Sequence, residues 1–130
     1  MHFHAKTISA TASGDYYQLA LEAEGGEEDQ PNHPDQSAPY LLLQRQLEFF
    51  DGGKCYIEAD DEIYIGHFHL KLVEFSPTRL AFEITRSYHN HVELDFVMTA
   101  AEFEEVQPIA EVIFGVREPD VDTTDFYDAL

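Results

Sequence analysis

IGHFHLKLVEFSPTRLAFEI, residues 65–84, holds two runs of alternating side chains around a turn. Phe68, Leu70 and Leu72 alternate with His67, His69 and Lys71. After Ser76-Pro77-Thr78, Leu80, Phe82 and Ile84 alternate with Ala81, Glu83 and Thr85. Neighbouring side chains on a strand point to opposite faces, so this period predicts two half-buried strands. The short turn makes them antiparallel.

The same reading extends in both directions. Residues 2–12 form a first strand, and Ser13-Gly14-Asp15 a turn. Tyr17, Leu19, Leu21 and Ala23 then share one face, opposite Gln18, Glu22 and Glu24. Strands follow at Tyr40 to Phe50 and Lys54 to Ala59, joined by Asp51-Gly52-Gly53. Ile63 to Phe75 reads as one long strand, and Val92, Leu94, Phe96 and Met98 mark the last. From Thr99 the period changes. Thr99 and Glu102 fit a capping box, Phe103, Val106, Ala110, Ile113 and Phe114 form a helical stripe, and Gly115 caps its end. Pro108 lacks an amide proton and is expected to kink or split that helix. The expected fold is α+β: a mostly antiparallel meander of about six to seven strands, with one C-terminal helix packed on the sheet.

Residues 25–39, GGEEDQPNHPDQSAP, have little to bury and much entropy to lose. They read as a mobile acidic loop inside a single domain spanning 1–117. Residues 118–130 read as an acidic tail.

The chain has 26 Asp and Glu against 7 Lys and Arg, a net charge of −19. Such a balance disfavours nucleic acid and anionic membranes, which both require clustered cations. It favours electrostatic steering of a basic protein partner. The 44% apolar content, with ten Phe and seven Tyr, is enough for a folded core. No apolar run is long enough to span a membrane and no signal sequence is present, so a cytoplasmic location is expected. The lone Cys55 reads as a buried structural thiol.

His-x-His occurs three times: His2/His4, His67/His69 and His89/His91. Each pair shares one strand face and can offer two imidazoles to a metal. Glu93 continues the face of His91, so His67, His69, His91 and Glu93 form a candidate set. Their reading is a metal-binding β-barrel similar to cupins, the alternative to a binding protein. Against it, the flanking glycines and the second cupin motif are missing, and Glu74 falls on the face opposite His67 and His69 unless a bulge intervenes. The plain reading is solvent-facing histidines, and a pH-sensitive cluster is a further possibility. No phosphate loop or nucleophile elbow is present. Catalysis and a cofactor are therefore not expected.

Four stretches carry a family resemblance: YLLLQR at 40–45, CYIEADDE at 55–62, residues 65–84, and VELDF at 92–96, before a helix ending in VIFG. Together they resemble the immunity protein 10 family of bacterial polymorphic-toxin systems. The chain departs from that pattern at His67, where a second glycine is expected beside Gly66. The resemblance implies a small cytosolic protein that binds and neutralises a cognate toxin, without catalysis. Such toxins are often nucleases with basic clefts, which an acidic inhibitor can occupy as a phosphate mimic. Acids placed on loops and turns are the expected contacts: Glu27, Glu28, Asp29, Asp60, Asp61 and Glu62. Under the opposing reading they serve only solubility in a structural domain.

Overall fold

The computed structural model describes residues 1–23, 39–48 and 52–117. The predicted loop 25–39 (Pro39 excepted), Asp51 and the tail 118–130 lie outside the described residues. The chain is α+β, with nine strands in two antiparallel-rich sheets and one α-helix among the described residues. The strands are β1 His2–His4, β2 Thr7–Ser13, β3 Tyr16–Glu22, β4 Tyr40–Gln46, β5 Cys55–Ala59, β6 Gly66–Phe68, β7 Leu70–Ser76, β8 Arg79–Ile84 and β9 His91–Asp95. A 3-10 turn spans Glu62–Tyr64, and helix α1 spans Ala100–Ile113. One sheet has the order β1-β9-β8-β7 and the other β2-β3-β4-β5-β6.

The expected α+β, mostly antiparallel fold is the one found, and two of the expected strands divide at corners. Residues 2–12 are not one strand. The amide of Ala5 donates to the carbonyl of Asp95 in one sheet, and the next amide, Lys6, donates to Glu22 in the other. Ile63 to Phe75 divides likewise. Ile63 belongs to the 3-10 turn, β6 pairs with β5, and β7 pairs with β8. Strands that turn a corner in this way let two sheets share one core.

Followed through its corners, the described part of the chain makes seven strands in a ring: 2–13, 16–22, 40–46, 55–59, 66–76, 79–84 and 91–95. An odd number of alternating strands must end running the same way as it began. The first and last are indeed parallel, with Phe3 opposite Leu94. The ring closes by chain continuity at the corners.

The alternation predicted from sequence builds the interior. Leu19, Leu21, Leu41, Leu43 and Ile57 of one sheet and Leu80, Phe82, Val92 and Leu94 of the other are fully buried in one cluster. Each such side chain stabilises the fold by roughly 1.5–3 kcal/mol. Helix α1 lies across β2, β3 and β4. It also reaches the other sheet, with Phe103 5.1 Å from Phe75 and Phe114 5.1 Å from Phe82, ring centre to ring centre.

The helix ends are built as their residues suggest. Thr99 accepts from the Glu102 amide at 3.1 Å, and the Glu102 carboxylate accepts from the Thr99 amide at 2.8 Å. At the other end Gly115, at φ 76°, donates to Val112, and Val116 donates to Glu111. This is the paired closure that a left-handed glycine permits. Of the two outcomes expected at Pro108, a kink or a split, the split does not occur: the helix runs unbroken through it. The missing amide leaves only the Glu104 carbonyl without its helical donor. Glu104 is an exposed residue, so water can serve that carbonyl.

Candidate functional site

Two surfaces concentrate the polar chemistry. The first is the acidic turn after β5. Asp61 accepts from the Ile63 amide at 3.2 Å and so caps the 3-10 turn. Asp60 accepts from the Tyr40 amide at 3.2 Å. Glu58 receives the hydroxyls of Tyr40 at 2.9 Å and Tyr56 at 3.1 Å. Partial burial, then the hydrogen bond to Glu58, pushes the Tyr40 phenol up to about 12. The separate hydrogen bond that Tyr56 donates to Glu58 raises the phenol of Tyr56. Arg86 braces the turn from behind. It donates to the Ile63 carbonyl at 2.9 Å, and its guanidinium lies 5.4 Å from the Tyr64 ring centre and 5.0 Å from that of Phe68. Gly66 admits that Phe68 ring, since an added Cβ would sit 2.9 Å from it.

Among the predicted contact residues, Asp60, Asp61 and Glu62 are thus brought together and exposed. Two of the three also hold the backbone. Glu27, Glu28 and Asp29 lie outside the described residues. The residues flanking their segment are joined, the Ala23 amide donating to the Pro39 carbonyl at 2.9 Å. Pro39, Asp60 and Asp61 line one hollow of about 230 Å³ with His2 and Tyr64.

The second surface is the outer face of the four-stranded sheet. His2 stands opposite Glu93, and His4 opposite Asp95. The His2 Nε2 lies 2.9 Å from Asp95 Oδ2, and His91 Nε2 lies 3.2 Å from Glu93 Oε1. Arg79 bridges Glu93, at 2.8 Å, and Glu74. Those bonds, Arg79 first and then His91, hold the Glu93 carboxyl below its ordinary value, and Glu93 with Glu74 raises the Arg79 guanidinium. A bulge between Leu72 and Glu74 turns Glu74 outward and returns Phe75 to the core. Glu74 therefore does not lie on the face opposite Lys71, as simple alternation implies.

The structure does not assemble the candidate metal set. His67 is on β6, opposite Tyr56, while His91 and Glu93 are on β9 of the other sheet. His69 sits at the corner between the sheets, where its carbonyl accepts from Thr85. Among the described residues, no three His, Cys, Asp or Glu side chains are placed to hold one ion. Cys55 is buried and donates to the Ile113 carbonyl at 3.0 Å, the structural position expected of it.

Sequence reasoning overlooked the outer face of the five-stranded sheet. There Tyr16, Gln44, Gln46, Lys54, Tyr56 and His67 line a shallow hollow of about 420 Å³. Gln44 donates to Gln18 at 2.9 Å, and the Tyr56 and His67 rings lie 5.2 Å apart. Its signal was present in the polar members of each alternating run. No helix among the described residues is long and apolar enough to cross a membrane. No protein-family profile and no curated protein matches the chain.

Proposed function

We propose that the chain is a toxin-neutralising immunity protein that works by stoichiometric binding through its acidic surface. One observation carries this reading: a net charge of −19 borne by a domain whose interior is an ordinary apolar core. The described acids lie at exposed or half-buried positions, and buried polar residues are absent among the described residues. Their field therefore points into solvent, where it raises the encounter rate with a basic surface. The resemblance of residues 40–115 to immunity protein 10 supplies the class of partner. On this reading Asp60, Asp61 and Glu62 meet the toxin at the rim, and Glu27, Glu28 and Asp29, which lie between Ala23 and Pro39 in the sequence, are further contacts.

Co-expression tests it. The gene immediately upstream is expected to encode a large secreted protein with a toxic C-terminal domain. Producing that domain alone should arrest growth, and adding this chain should restore it with a one-to-one complex. Continued arrest with both proteins soluble would remove the proposal.

A further inference from the structure

The ring of strands has one unguarded edge. Edge strands expose unpaired amides and carbonyls, and folds usually blunt them with charge, proline, bulges or short length. Three of the four sheet edges follow that rule. β1 and β6 have three residues each, and β7 carries Lys71, Glu74 and the bulge. The fourth, β2, is Thr-Ile-Ser-Ala-Thr-Ala-Ser: seven residues with neither charge nor proline, in a chain that is 25% charged. It pairs with β3 on one side and with no strand on the other among the described residues.

Beside that free side the fold is open. β1 holds β9 for three residues, then the chain leaves at the Ala5–Lys6 corner. Beyond β9 the amides of Phe96 and Met98 turn away toward Thr78 and Pro77. The result is a groove of about 440 Å³ along Lys6–Ala10. Ile8, Ala10, Val97, Met98 and Val106 give it an apolar lining, with Glu102 and Glu105 from α1 at its side. Val97, on the outward phase of its run, is 80% exposed, while Phe96 and Met98 on either side are buried.

We infer that this seam takes an extended segment of a partner protein, which pairs with β2 as an added strand and points Lys or Arg side chains along the groove. Backbone pairing would satisfy the free edge, and alternate side chains would enter the groove. A long cationic side chain fits both its chemistries. The aliphatic stem covers Ile8, Met98 and Val106, while the head reaches Glu105 or Glu102. Lys6 sets the direction by disfavouring a cation at its own end. A second copy of this chain is a poor occupant, because each copy carries −19 and brings the same two glutamates. The inference rests on the binding-protein reading for the partner's identity only. It adds the surface and the chemistry of the segment bound.

The test uses the full chain and three capped synthetic peptides of equal charge. One alternates Arg with Thr. The second is the same peptide with the amides on its pairing edge N-methylated. The third has the same composition with its arginines in one block. Binding is read by titration and by amide hydrogen exchange. The alternating peptide should slow exchange across Thr7–Ser13, and the other two should bind about tenfold more weakly. Glu105→Lys, on an exposed helix position, should cost a similar factor while leaving the melting curve in place. Equal binding of all three peptides, protection away from β2, no binding, or pairing of β2 with a second copy would each overturn the inference. Growth rescue that survives Glu105→Lys at full strength would defeat this surface and leave the immunity reading standing. Peptide binding at β2 without growth rescue would do the reverse.

Discussion

Arg45 donates from Nη1 to the carbonyl of Val112 at 2.7 Å, tying the end of β4 to the last turn of α1. One residue on, the Cys55 thiol serves Ile113. The helix has no basic residue in its own last turn, so the sheet supplies both the donors and the positive charge that its C-terminus favours. The Nε of the same arginine is buried without a partner, so the side chain is held by the Val112 bond and by packing. Arg45→Met should therefore cost roughly 1.5–3 kcal/mol in urea unfolding. An unchanged midpoint would show that the tie contributes nothing.

Pro108 gives an opposite expectation. It removes one helical amide from α1, yet the helix continues through it. Pro108→Ala restores that donor and should raise stability by about 1–3 kcal/mol, read from the denaturation midpoint. A loss would mean that the proline ring packs better than alanine there.

The sequence made much of this legible, and the reasons for the rest are specific. Leu19, Leu21, Leu41 and Leu43 lie where period two puts them, because each strand has one buried face. The corner at Lys6 left a trace: Phe3 and Ala5 point inward, then Ile8 and Ala10 do, a change of phase. The bulge left another in the three-residue step from Leu72 to Phe75. The corner at His69 left none, since Phe68 and Leu70 keep phase while changing sheets. Pairing across sheets is a tertiary fact, so the separation of His67 from His91 was not visible in their spacing.

Tyr40 and Tyr56 share Glu58, and both phenols are raised. A group raised on folding contributes fully below its ordinary value, 10.0 for Tyr40, and loses that contribution as pH climbs through the folded value of about 12. In a spectrophotometric titration Tyr40 should ionise well after an ordinary phenol, and Tyr40→Phe should remove the late component. The wild-type chain should lose stability above pH 10.0 more steeply than Tyr40→Phe. Identical titration curves would contradict the hydrogen bond.

Glu93 works at the other end of the scale. Its carboxyl is held below the ordinary 4.5 by Arg79 and His91. Such a group contributes above 4.5 and loses its effect as pH falls through the lowered folded value. Glu93→Gln should therefore flatten the loss of stability below pH 4.5, seen as melting temperatures that converge with wild type in acid. Parallel curves would place the acid sensitivity elsewhere.

The acidic turn separates charge from structure. Asp61 caps the 3-10 turn, so Asp61→Ala should cost roughly 1 kcal/mol whether or not a partner is present. Glu62 is exposed and carries no such duty, so Glu62→Lys should leave the melting curve unchanged and slow association with the partner. A Glu62→Lys chain that associates at the wild-type rate would take that turn out of the encounter surface.

The most direct measurement is the association rate of the purified chain with the toxic domain that it rescues, followed by stopped flow as salt rises. Between about 0.05 and 0.5 M salt the Debye length falls from roughly 14 to 4 Å, which erases most steering between surface charges. A surface of −19 acting on a basic partner should lose on-rate by at least about tenfold across that range, with the dissociation rate changing far less. An on-rate indifferent to salt would contradict binding through the acidic surface.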